Sequence, residues 1–337
     1  EQHEIRARHA RWYFDLGVTA NGQGPDRVGA RTRLRRDTAN VGLALALALD
    51  HDVAAALPLA DALFGSWLAT GRLGELLRWY ERALEDPAAL SARDRAVALT
   101  GLGLTLTYAE NLDPARAALT EALVLVREAG DELDEARVLN RLGGVEFVGG
   151  SPERALEWTE QALEICERLA DPEELARSLF FTAEALRETR EFKRASEHYL
   201  RSIEIVRAHG LGSVAARLHS LGDLSLDGGD LPAADRYYRE ALALGITEED
   251  VRLQAYCLAG LACIAAHKDD ATTAGRLWTL AERIEQHVGF RMLAAERQRY
   301  ERILAEPLRA SEPYHAGSIQ AAAEPDPLSA AAALLST

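Results

Sequence analysis

Residues 111–122 read NLDPARAALTEA, and residues 149–162 read GGSPERALEWTEQA. Each stretch is a short turn of Gly, Asn, Asp or Ser, then a proline, then compact side chains at Ala115, Leu119 and Ala122, or at Ala155, Thr159 and Ala162. Spacings of i, i+4 and i+7 place three residues on one helix face. A proline near the first helical position costs little, because the N–H there has no partner inside the helix. The same signature recurs in register. Its opening small residue is Ala115, Ala155, Ala195, Ala234 and Ala274, with Leu76 as an earlier, degenerate member, at spacings of 39, 40, 40, 39 and 40 residues. Four positions on stand Tyr80, Leu119, Thr159, Tyr199, Tyr238 and Trp278, and seven on stand Ala83, Ala122, Ala162, Ser202, Ala241 and Ala281. Twelve before the anchor come Phe64, Gly103, Gly143, Ala183, Gly222 and Ala262.

The period predicts a stack of antiparallel helix pairs. Small residues let two helix axes approach, and the larger residue between them fills the gap to the next pair. An ordinary alanine-rich bundle would have no reason to keep a 39–40 residue register. The pattern resembles the tetratricopeptide repeat, drawn out by about six residues from its ~34-residue period. The expected fold is all-α, a right-handed superhelical solenoid of tetratricopeptide-like helix hairpins. The expected organisation is an N-terminal helical cap with a Gly-rich loop over 1–52, about six repeats over 53–289, and a C-terminal helical cap and tail over 290–337. Within the caps, residues 1–16 and 36–50 read as helices and 17–30 as a loop in which Pro25 could open a short helix. Residues 291–305 read as a further helix. A last short helix starts with Asp326 as N-cap and Pro327 as first residue.

Composition narrows the function classes. Of 337 residues 48% are hydrophobic and 27% charged, a globular balance. Aromatics are only 6%, while Ala and Leu dominate, which favours packed helices over sheet. No uninterrupted apolar run reaches ~18 residues, so no membrane span is expected. The N-terminus is charged and polar, with no apolar signal core. Cys166, Cys257 and Cys263 form no CxxC pair and no disulfide framework, which points to core thiols and the reducing cytoplasm. Lys and Arg number 38 against 53 Asp and Glu, a net charge of −15, so this segment is not expected to grip nucleic acid directly. The charge is uneven: residues 1–36 carry +4, leaving −19 for the remainder. Met292 is the only methionine, so Glu1 is not a translation start and an excised segment is expected.

Catalytic motifs are missing. Neither Lys193 nor Lys268 follows a glycine, so no Walker loop is present, and no HExxH or GxSxG occurs. Gly101-Leu102-Gly103 falls inside a repeat helix, which makes it a packing feature. The acidic pairs Asp131–Asp134 and Glu248–Glu249 read as helix-start carboxylates that complement the dipole. No metal, cofactor or catalytic residue is therefore expected. What remains is the surface lined by the first helix of each pair. It carries Tyr108, Arg137, Asn140, Arg141, Phe147, Arg177, Phe180, Glu184, Arg187, His219 and Asp223. Several arginines in so acidic a chain suit carboxylates or phosphates. The blander alternative pairs them with neighbours such as Glu184 and Glu188. Of the rings Phe180 and Phe181, one is expected exposed and one buried.

Three segments together resemble another family. Arg8-His9-Ala10-Arg11-Trp12-Tyr13 is similar to its "RHARYF" opening. Ala39-Asn40-Val41, Leu68-Ala69-Thr70-Gly71-Arg72-Leu73 and Trp79-Tyr80-Glu81-Arg82-Ala83-Leu84 resemble its "DNLRAAL…GRLSEGRRWLERAL" stretch. The run LWTLAERIEQHVGFRMLAAERQRYERIL around Trp278 and Tyr300 resembles its closing segment. This order is similar to the C-terminal sensor region of large bacterial transcriptional regulators, of the LuxR type and antibiotic-regulatory-protein type, that carry a signal-transducing ATPase. The resemblance implies a non-catalytic domain that senses a protein, a peptide or a small-molecule effector. It would control ATPase and DNA-binding domains outside this chain. The alternative is a stand-alone adaptor that docks peptides or proteins in the same groove. An enzyme would need titratable groups converging in a closed pocket, which an open groove rarely provides.

Overall fold

Asn111-Leu112-Asp113-Pro114 and its counterparts do become helix-pair turns. The computed structural model describes residues 2–22, 26–86, 90–305 and 311–335, and among these there are eighteen α-helices and no strand. They divide into two compact units, Glu1–Gly149 and Gly150–Thr337. The first holds α1 (Gln2–Asn21), α2 (Asp26–Arg36), α3 (Thr38–His51), α4 (Val53–Ala69), α5 (Leu73–Ala83), α6 (Ala92–Tyr108), α7 (Leu112–Ala129) and α8 (Glu132–Val148). The second holds α9 (Pro152–Leu169), α10 (Pro172–Glu188), α11 (Phe192–His209), α12 (Ala215–Asp227), α13 (Leu231–Thr247), α14 (Val251–His267), α15 (Ala271–Val288), α16 (Ala294–Leu304), α17 (Glu312–Ala323) and α18 (Pro327–Ala333).

The periodic positions form the cores. Leu76, Ala115, Ala155, Ala195, Ala234 and Ala274 are all buried, as are the residues four and seven places on. Gly222 shows why the position twelve before the anchor is small. A Cβ there would stand 2.7 Å from the Tyr238 ring, so only glycine lets α12 and α13 approach with that ring between them. Capping is equally regular. Asp131, Asp171, Asp230, Asp250 and Asp270 each accept a hydrogen bond from the backbone N–H three residues on. This satisfies an amide with no partner inside the helix. Asp131 is thus a cap, as expected. Glu248–Glu249 is not a helix start: Glu248 ends α13, and Asp250 is the residue that caps α14.

The flanks depart from the sequence reading in two places. Residues 17–21 continue α1, and residues 26–30 begin α2. The glycine at 17 serves a close crossing: a Cβ there would meet the Leu59 backbone of α4 at 2.5 Å. Pro25 lies outside the described residues. The second difference is α17, which the composition of 307–325 did not announce. Ser311 caps it, and Gly275 of α15 and Gly317 of α17 lie where the two backbones touch. The predicted helices over 36–50 and 291–305 are α3 and α16, and Asp326 caps α18 through the N–H groups of Leu328 and Ser329. Cys166, Cys257 and Cys263 are buried free thiols.

Candidate functional site

The eleven residues picked from the repeat register fall into two groups, one per unit. In the first unit Tyr108 closes α6 and sits edge-on to Phe64, with ring centroids 5.3 Å apart. On α8, Arg137 reaches Asp134 at 2.6 Å with much of its side chain in solvent. Arg141 and Phe147 are half-buried, whereas Asn140 is fully buried. The face of α8 therefore offers Arg137, Arg141 and Phe147, and Asn140 belongs to the packing beneath them.

In the second unit the register residues meet a helix that the periodicity did not place. Glu184 and Arg187 of α10, and His219 and Asp223 of α12, converge on α16. The Asp223 carboxylate accepts from the Tyr238 hydroxyl at 2.6 Å and from the Tyr300 hydroxyl at 3.0 Å, and it pairs with Arg299 at 2.7 Å. Arg187 lies among Asp227 at 3.1 Å, Glu188 at 3.0 Å, Glu184 at 3.6 Å and Glu296 at 3.7 Å, with its side chain 1% exposed. Glu296, Arg299 and Tyr300 all belong to α16. His219 Nε2 lies 3.1 Å from the Tyr300 oxygen. The single phenolic proton goes to Asp223, so the chemistry assigns the proton of that second bond to His219 Nε2.

Electrostatics follow from this burial. Desolvation alone would lift the Asp223 carboxyl, but Arg299, His219 and Arg187 hold it well below its ordinary value. Burial lowers His219, against the opposing pull of Asp223 and Glu296, and so favours the neutral ring. Burial raises the Glu184 carboxyl to about 6, although Arg187 and a hydrogen bond from Ser220 work against it.

This sets a pH dependence. The native state holds the Glu184 proton more tightly than the unfolded chain, whose carboxyl titrates near 4.5. The stability this group contributes is complete below that value and is lost as pH rises through about 6. The expected loss by pH 7 is about 2 kcal/mol. His219 acts in the opposite sense, since a lowered histidine gains stability as pH rises. The difference between wild type and Glu184→Gln in urea unfolding isolates the carboxyl, and parallel pH profiles for the two proteins would contradict its assignment.

Arg177, Phe180 and Arg217 form a separate cluster at the other end of α10. Arg177 is partly exposed and pairs with Glu173 at 3.3 Å and Glu174 at 3.2 Å. Phe180 and Phe181 are both half-buried, with centroids 5.5 Å apart, so the expected division into one exposed and one buried ring is not found. The Arg217 guanidinium lies 5.4 Å from the centroid of the Phe180 ring. Arg217 was missed in the sequence, yet a signal for it exists. Arg137, Arg177 and Arg217 stand forty residues apart, although the 39-residue step from Ala195 to Ala234 puts Arg217 one place further along its helix than the other two.

Comparison with known proteins agrees with the helical-repeat fold. Residues 134–208 match the family model of the tetratricopeptide repeat. The chain folds as a tetratricopeptide-like α-solenoid. No curated protein matches its sequence. Among solved structures, a Rap protein complexed with competence and sporulation factor is similar at TM-score 0.61 and 15% identity, over 99% of this chain and 87% of that one. The Rap conjugation gene regulator of plasmid pLS20, complexed with the Phr* peptide, is similar at TM-score 0.53 and 10% identity, over 91% and 98%. A signal transduction ATPase with a tetratricopeptide repeat sensor from Pyrococcus horikoshii is similar at TM-score 0.54 and 14% identity. That likeness spans 90% of this chain and 47% of the ATPase. Among the described residues no helix is long and apolar enough to cross a membrane.

Proposed function

We propose that this chain is a non-catalytic sensing domain of a bacterial transcriptional regulator, acting in the cytoplasm through ATPase and DNA-binding domains outside the chain. Its ligand is a peptide or a helical segment of a protein, for which the first unit offers the face of α8 and the second unit, by itself, the face of α10. One observation carries the choice of a peptide. In the second unit the face of α10, α12 and α14 already holds a helix, α16, by charged and phenolic side chains. A surface that seats a helix of its own chain has the chemistry to seat another, since Arg and Tyr anchors suit protein interfaces. The fold shared with a regulator solved with the Phr* peptide, and with an ATPase that carries a repeat sensor, supports the same reading. Binding then shifts the balance between regulator states by its differential affinity for them. The near full-length likeness to Rap proteins supports a second reading, a stand-alone adaptor that uses the same faces.

The test is selection from a random dodecapeptide library on the purified chain. Wild type should enrich a peptide family. The triple variant Arg137→Ala, Arg141→Ala, Arg177→Ala should bind it about tenfold or more weakly, as expected when charged hydrogen bonds are lost. A melting curve for the variant checks that it still folds, because Arg177 also pairs with the buried Glu174 carboxylate. Equal binding by the variant would remove these faces from the site.

A further inference from the structure

Arg217 differs from the arginines near its level in the two preceding repeats. Arg137 has Asp134, and Arg177 has Glu173 and Glu174. Among the described residues no carboxylate lies within 4.0 Å of the Arg217 guanidinium. One nitrogen is anchored: Nε–H donates to Ser202 Oγ at 2.7 Å. Ser202 in turn donates to the Ala176 carbonyl at 2.5 Å, which fixes the hydroxyl with its lone pairs toward Arg217. One face of the cation rests on the Phe180 ring. The two terminal NH2 groups remain for a ligand. Burial pushes the guanidinium down to about 10, and the neighbouring Arg177 adds to this more than Glu173 offsets it. A half-buried cation held in place without a counter-ion costs stability. Its contacts with Ser202 and Phe180 use one nitrogen and one face, and leave the two terminal NH2 groups unassigned.

We propose that Arg217, with Arg177 and Phe180, binds the carboxylate of an Asp or Glu side chain in the peptide ligand. This rests on the peptide-sensing reading above. Local pairing, not net charge, favours a monoanion. Glu173 and Glu174 both pair with Arg177, which leaves the Arg217 fork without a carboxylate of its own, and a phosphate dianion would crowd Glu173. The planar carboxylate matches the two parallel N–H groups of the open fork.

The same dodecapeptide library tests this on the full chain. Peptides selected by wild type should share an acidic residue at one position. Its replacement by Asn or Gln should weaken binding to wild type about tenfold or more, and binding to Arg217→Gln hardly at all. Arg217→Lys, with a charge but no fork, should recover only part of the affinity. Peptides without an acidic position, or the same loss on wild type and Arg217→Gln, would overturn the carboxylate site and leave peptide sensing standing. No enrichment by wild type would overturn both. Stability supplies an independent readout. Arg217→Met should melt at or above the wild-type temperature, and a clear fall would show that the cation is structural.

Discussion

Asp223→Ala is expected to destabilise the second unit by about 3–5 kcal/mol, the usual cost of removing one partner from a buried ionic group. The carboxylate is 2% exposed and serves four groups at once: the Tyr238 and Tyr300 hydroxyls, Arg299 and, at longer range, Arg187. Its removal leaves the buried Tyr238 hydroxyl without its acceptor and takes from Arg299 its shortest ion pair. The loss is a large share of a typical domain stability of about 5–15 kcal/mol. Asp227→Ala is the control. Asp227 pairs with both arginines from the rim, with a quarter of its side chain in solvent, so its loss should cost about 1 kcal/mol. Urea unfolding compares the two. A double-mutant cycle between Asp223 and Arg299 should show strong coupling, and additive effects would mean that α16 is not held through this contact.

Tyr238→Ala should cost about 3–5 kcal/mol, the range for deleting a buried aromatic ring. Tyr238 is the larger residue of its repeat and is fully buried, with glycines at 222 and 260 making room for its ring. Tyr238→Phe keeps the ring and removes the donor to Asp223, so it should cost about 1–3 kcal/mol. The order Ala worse than Phe, measured by thermal and urea unfolding, separates ring packing from the hydrogen bond. Equal losses would assign the whole effect to the hydroxyl.

How far the site could be read from sequence differs between its parts. The repeat register located Glu184, Arg187, His219 and Asp223 on one face because that face repeats with the helix period. It could not show what they meet, since Glu296, Arg299 and Tyr300 lie 70 or more residues along the chain from Asp223 and belong to no repeat. These four residues therefore read as a ligand surface and stand in the structure as the seat of α16. Arg217 is the reverse case. The forty-residue spacing from Arg137 and Arg177 was in the sequence, but only coordinates show that its guanidinium lacks a carboxylate while theirs have one. Gly17 misled for a different reason. Glycine signals loops by default, and a helical glycine at a crossing looks the same in one dimension.

The sequence by itself determined the helix pairs, their period and their buried positions. Local spacing decides which residues share a helix face, and a repeated face can bury itself only against its neighbour. It also determined most of the caps, because an N-cap aspartate acts on an amide three residues away. The tertiary structure alone decided where the charged residues go. Whether an arginine is a ligand fork or part of a closed ionic network depends on which distant side chain arrives beside it. In the second unit the arrival of α16 made Arg187 internal and left Arg217 open.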